Sequence, residues 1–326
     1  MLVSRIVYLI KKRNIQPENI LAVTFTKKAA KEMKNRLEEI LQNDANYDSK
    51  IASNKNSITN VRKSENKISN LFDRNNNNNK YEVFFNKKKS STSVTCTTLH
   101  SFCCQILRTY NMVSKDREFS VYDDEDSNKI IKKLLIERNL LGEFSPGKIR
   151  IAISTIKRQM LSNERYLFKD KNYEIASNIL NDYNTLLKLN NSKDFDDLIL
   201  HTINLMKKNG LEARAIRRKY LHILCDEWQD IDKSQYLLMK LIHSDDSKND
   251  NDNNNNDNNI SNNENINNNN NNNNDNNNNN ENLLKSVQLK VPDRTLFVVG
   301  DSFQTIYSWR GADHRNLDYF AEDFQT

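Results

Sequence analysis

Glycine and proline are scarce here, at five and three residues among 326. No glycine precedes Gly142, so the N-terminal part of the sequence holds no Gly-rich loop to cradle a phosphate. The one Gly-Lys pair, Gly147-Lys148, is followed by Ile149 rather than Thr or Ser, so it does not end such a loop. Cysteine is limited to Cys96, Cys103, Cys104 and Cys225, with no CxxC spacing. That excludes a zinc site of paired cysteines and a disulfide scaffold, and reduced core thiols of an intracellular protein are expected. Long apolar runs are also missing. None approaches the roughly 20 residues of a membrane span, and residues 1–10 are amphipathic rather than a secretory signal, so no membrane partner is expected.

What is present is a mixture of foldable and unfoldable sequence. The chain is 37% hydrophobic and 28% charged, with a net charge of +6 that permits a polyanionic partner without requiring one. Residues 42–93 are rich in Asn, Ser and Lys, and 245–290 form an Asn tract. Both are too poor in apolar side chains to offset the entropy of ordering, and both read as disordered insertions.

Outside them the pattern is α/β. Val3, Ile6, Val7 and Ile10 repeat at helical spacing, and Ile20 to Val23 form a buried strand that runs into Thr24-Phe25-Thr26, with Thr26 a helix N-cap. Ala29, Ala30, Met33, Leu37, Ile40 and Leu41 line one face of the next helix. Val94 to Thr97 and Leu296 to Val299 are further strands, and residues 120–210 are helical throughout, the mark of a subdomain inserted into a sheet domain. Short apolar strands alternating with helices predict a parallel sheet covered on both faces.

The most informative stretch is Ile223-Leu-Cys-Asp-Glu-Trp-Gln-Asp230. An apolar strand stops at two adjacent acids, Asp226 and Glu227, and ligands of open α/β sheets bind at that edge. Asp226 suits Mg²⁺, which prefers oxygen ligands, and Glu227 suits a base that orients and deprotonates an attacking water. The same pattern fits a strand ending in a solvated acidic turn. Plain packing roles also suit Phe25 at a strand end, His100 at a helix start, and Tyr307 and Trp309 alternating with Ser308. The Asp196-Asp197 pair reads as a solvated helix N-terminus outside any active site.

Five strings in order decide among these: Thr24-Phe-Thr-Lys-Lys-Ala-Ala30, Thr98-Leu-His-Ser101, Asp194-Phe-Asp-Asp-Leu198, Asp226-Glu-Trp-Gln-Asp230 and Gly300-Asp-Ser-Phe-Gln-Thr-Ile-Tyr-Ser-Trp-Arg-Gly-Ala312. Together they resemble the first RecA-like domain of superfamily one DNA helicases of the UvrD, Rep and PcrA type. The resemblance implies a P-loop NTPase (RecA-like) fold, with residues 1–41, 94–119, 211–244 and 291–326 forming domain 1A and 120–210 a helical 1B-like subdomain. It implies ATP and Mg²⁺ as cofactors, Asp226 as metal ligand, Glu227 as general base and Gln304 as γ-phosphate sensor. It puts single-stranded DNA on Thr24, Phe25, Thr26, His100, Tyr307, Trp309 and Arg310, with duplex junctions and repair or replication proteins as further partners.

Departures from the family pattern are Lys27 for Asn, Leu99 for Phe, Ser302-Phe303 for acids, and the missing Gly-Lys-Thr/Ser loop and second RecA-like domain. The expected function is an ATP-dependent 3′ to 5′ DNA helicase present as a partial ATP-binding domain that hydrolyses ATP poorly alone. The alternatives are a non-hydrolysing remnant that binds single-stranded DNA or a partner, and a repair nuclease-helicase. Asn tracts of this size suggest an AT-rich eukaryotic source, so a nuclear location is expected, with an organelle as the alternative.

Overall fold

The computed structural model describes residues 1–42, 94–114, 118–160, 170–244, 293–305, 312 and 315–324. The bulk of both low-complexity segments, together with Tyr307, Trp309 and Arg310, lies outside these residues.

The chain opens with α1 (Leu2–Arg13), closed by Asn14 in the left-handed conformation at φ 54°. Asparagine tolerates that conformation better than most residues. β1 (Ile20–Thr24) is buried along its whole length. Thr26 then caps α2 (Lys27–Gln42), its Oγ1 accepting from Ala29 N at 3.1 Å. β2 (Thr95–Thr98) leads into α3 (Leu99–Ser114). After the short β3 (Ser120–Val121) come α4 (Asp124–Glu137), α5 (Pro146–Gln159) and α6 (Lys171–Leu189). β4 (Ser192–Lys193) returns beside β3, followed by α7 (Phe195–Lys207) and α8 (Leu211–Lys219). β5 (His222–Cys225), α9 (Lys233–His243), β6 (Thr295–Val298) and α10 (Asn316–Phe324) complete the order.

The main sheet has four strands in the order β2-β1-β5-β6, all parallel. Alternation of side chains across a strand divides its residues between two cores. Leu21, Val23, Ile223 and Cys225 face α3, α7, α8 and α9, whereas Ile20, Ala22 and Leu224 face α1 and α2. Both faces are covered, so β1 and β5 read as uninterrupted apolar runs. Because the strands are parallel, Thr24, Thr98, Cys225 and Val298 all end at one edge.

A separate core of Ile131, Leu135, Ile149, Ile153, Ile179, Tyr183 and Leu187 holds α4, α5 and α6 together. This excursion ends sooner than the sequence reading has it. Leu198, Ile199, Ile203 and Met206 of α7 belong to the sheet core, because that apolar stripe packs among Phe102 and Ile106 of α3 and Leu238 and Ile242 of α9. Ile40, placed on the inner face of its helix by spacing, is 40% exposed.

Candidate nucleotide and nucleic-acid site

At the C-terminal edge of the sheet the chain turns sharply after Cys225. Asp226 N donates to Val23 O at 2.9 Å and Trp228 N to Val299 O at 2.9 Å, so each side of Glu227 is tied to a neighbouring strand. Glu227 between them is left-handed, at φ 53° and ψ 47°. For a residue with a Cβ this costs on the order of 1–3 kcal/mol, which the two flanking bonds and the burial of Trp228 offset. Trp228 is 1% exposed, its Nε1 donates to Asn316 O at 3.0 Å, and its ring meets Tyr236 and Phe320 edge-on. The reversal thus sends the indole into the core and leaves the carboxylate at the rim.

Asp226 and Glu227 open onto a cavity of about 1130 Å³ whose wall also includes Thr24, Phe25 and His100. Its far side is formed by Arg150, Ile151, Ser154 and Arg158 of α5 together with Phe195 and Asp196 at the start of α7. The His100 ring stands 5.6 Å from that of Phe195 in a T-shaped arrangement. Thr26, occupied in capping α2, is not part of this wall. Gln304 is exposed on a short turn beyond β6 and is also absent from the wall, its Nε2 donating to Asp301 Oδ2 at 2.9 Å.

The electrostatics suit a cation. Partial burial and, after it, the neighbouring Glu227 charge raise the proton affinity of the Asp226 carboxyl. A divalent ion would relieve the repulsion between two adjacent acids, so the donor set fits Mg²⁺. Asp226 would hold it, while Glu227 accepts from Gln229 Nε2 at 2.7 Å.

The expectation that Asp196 and Asp197 form a solvated helix start needs correction. They do begin a helix, with Asp194 and Asp197 making a reciprocal capping box. Asp197, however, accepts from Lys157 Nζ at 2.8 Å, and Asp196 pairs with Arg158 at 3.3 Å on the cavity wall. Lys157 itself is 2% exposed. The signal available in the sequence was a lysine on the apolar stripe of α5, one helical turn beyond Ile153 and two beyond Ile149, where a charge needs a buried partner.

Burial, and next the charge of Asp194, push the Asp196 carboxyl up to about 6, against the pull of Arg158. A raised carboxyl favours the fold at acid pH: its contribution is full below the ordinary 3.8 and is lost as pH rises through about 6. Carboxyl-resolved NMR titration should give a midpoint of about 6 that disappears in Asp196→Asn. A midpoint at the ordinary value would place Asp196 in solvent.

Residues 1–325 match the family described as the UvrD/REP helicase N-terminal domain. The chain is 29% identical over 327 aligned positions to the ATP-dependent DNA helicase PcrA of Bacillus subtilis strain 168, covering 99% of this chain and 32% of that protein. It is 28% identical to the PcrA of Staphylococcus epidermidis and 26% to that of Staphylococcus aureus, with the same shares covered. The chain therefore spans about a third of the length of these relatives. They are bacterial proteins, and bacteria have no nucleus, so the expected nuclear location does not stand. Asparagine content reflects composition and carries no cellular address.

Proposed function

The chain belongs to the UvrD/REP helicase N-terminal domain family, and from that premise we propose that it is the first RecA-like domain of an ATP-driven translocase that unwinds duplex DNA 3′ to 5′ in repair or replication. The observation that carries this reading is the shared cavity: the acids Asp226 and Glu227 and the residues Thr24, Phe25 and His100 line one space at the sheet edge. Nucleotide chemistry and a strand-gripping surface are thereby adjacent.

In this reading Glu227 accepts the proton of a water whose oxygen bonds to the γ-phosphorus as the bond to the departing ADP oxygen breaks. Asp226 holds Mg²⁺, which when bound neutralises charge on the phosphates. Gln304 senses the γ-phosphate and links its presence to the DNA site. The single strand lies over Phe25 and His100, with Tyr307, Trp309 and Arg310 following in the sequence. Aromatic faces stack on any base, so grip without sequence preference is expected.

Anisotropy titration with labelled single strands tests the DNA half. Phe25→Ala should weaken binding by about 1–3 kcal/mol, roughly five- to 150-fold, equally for strands of different sequence. Unchanged affinity would remove Phe25 from the strand path. For the whole reading, ATP turnover by the full-length gene product should rise when single-stranded DNA is added. Its absence would favour the second reading, a binding protein that does not hydrolyse ATP.

A further inference from the structure

We propose that Gln229 is a positioning residue that holds the Glu227 carboxylate and ties it, through Asp301, to the turn carrying Gln304. This rests on the reading of Glu227 as general base.

Gln229 is 1% exposed, and both ends of its amide are engaged. Its Nε2 donates to Glu227 Oε2 at 2.7 Å, and its Oε1 accepts from Asp301 N at 3.0 Å. An amide suits both partners: a carboxylate needs a donor, a backbone N–H needs an acceptor, and the primary amide of Gln or Asn carries an NH₂ and a carbonyl oxygen on one planar group. The orientation of the amide is therefore dictated by its neighbours. The Asp301 side chain extends the connection, accepting from Gln304 Nε2 at 2.9 Å and from Phe303 N at 3.0 Å.

The approach is close enough to require glycine next door. A Cβ on Gly300 would stand 2.6 Å from Gln229 Oε1 and 3.2 Å from both Gln229 N and Trp228 Cβ. The loop after β6 is thus pressed against the turn after β5, with the Gln229 amide as the polar joint between them. A buried joint of this kind resists rotation of the Glu227 side chain. It also gives displacement of the Gln304 turn a route to the base, because moving Asp301 N–H alters the bond that orients the amide.

The test compares Gln229→Glu and Gln229→Met in the full-length gene product, by kcat and KM of DNA-stimulated ATP turnover and by hydrogen exchange at Asp301. Gln229→Glu keeps the acceptor for Asp301 N–H but sets a second carboxylate against Glu227. Its Asp301 amide should stay protected while kcat falls about tenfold, since a like charge in contact pushes the Glu227 carboxylate from its place. Gln229→Met keeps the volume and removes both bonds. Its kcat should fall about tenfold with KM for ATP little changed, and the Asp301 amide should exchange about tenfold faster.

A kcat unmoved in Gln229→Glu, or an Asp301 amide equally protected in Gln229→Met, overturns the proposal. Should Gln229→Glu fail to fold, an unaltered kcat in Gln229→Met overturns it alone. Absence of turnover in the wild type, with Asp301 protection still dependent on Gln229, instead defeats the helicase reading and leaves the joint as a feature of the fold without a base to position.

Discussion

Glu227→Gln should reduce DNA-stimulated ATP turnover of the full-length gene product by about 10²–10⁴-fold, the range associated with removing a general base, while ATP binding persists. The substitution isolates chemistry from architecture. A glutamine at this position keeps an oxygen to accept from Gln229 Nε2, so the joint at 2.7 Å need not break. The left-handed backbone at φ 53° is set by bonds from Asp226 N and Trp228 N, which a side-chain change leaves alone.

What disappears is the carboxylate proposed to take the proton, together with the charge that raises Asp226. Asp226 should therefore bind Mg²⁺ at somewhat lower pH than in the wild type. Rapid-quench measurement of a single turnover, beside nucleotide binding by fluorescence, separates the two effects. Turnover within a few-fold of wild type would exclude Glu227 as the base.

Lys157→Ala should lower the unfolding free energy by about 3–5 kcal/mol, the cost of leaving buried charges without their partner. The Lys157 ammonium donates to Asp194 Oδ2 at 2.7 Å and to Asp197 Oδ1 at 2.8 Å. Asp194 accepts in addition from the Tyr183 hydroxyl at 3.0 Å. Burial alone would pull the ammonium down, but the two carboxylates more than offset it and its proton affinity is raised. A raised lysine contributes stability that is complete below its ordinary 10.5 and is lost as pH rises through the higher folded value, so the contribution is intact at neutral pH.

Removal of Lys157 strands two acids against an aromatic ring in the seam between α5 and α7. Urea unfolding should register the loss, and Lys157→Met combined with Asp194→Asn and Asp197→Asn should recover much of it, because no uncompensated charge then remains. A loss below about 1 kcal/mol in the single variant would mean that water reaches the cluster, as at exposed ion pairs. The position of the excursion over the cavity depends on this cluster, since α5 supplies Arg150, Ser154 and Arg158 to the wall.

Local signals carried far in this chain. β1 and β5 are apolar at consecutive positions because the sheet buries both faces, and a run of that kind needs no knowledge of its neighbours to be recognised. Thr26 before an apolar-periodic segment announces a cap, and the bond from Ala29 N supplies it. The acids after Cys225 stand at a strand end in the sequence and at a sheet edge in space for the same reason: parallel strands share one direction.

Other features needed distant partners. α7 carries an apolar stripe that would suit either core, and only packing against α3 and α9 assigns it to the sheet. Lys157 meets Asp194 across 37 positions and Gln229 meets Asp301 across 72, separations over which no periodicity or spacing rule operates. Gln304 illustrates the division well, being recognisable by its string yet connected to Glu227 only through a buried amide and a loop from another strand.

By itself, then, the amino-acid order determined the strands of the main sheet and most helices, that those strands run parallel, and that two acids stand at a strand end, but not the short pair β3 and β4 inside a segment that reads as helical throughout. Those properties follow from side-chain polarity repeating along a few neighbouring residues. Tertiary structure alone decided which helices cover which face, how the excursion is fastened by a buried lysine, and which amide steadies Glu227. These are contacts between segments remote in the chain, and their energies arise from exclusion of water where the segments meet.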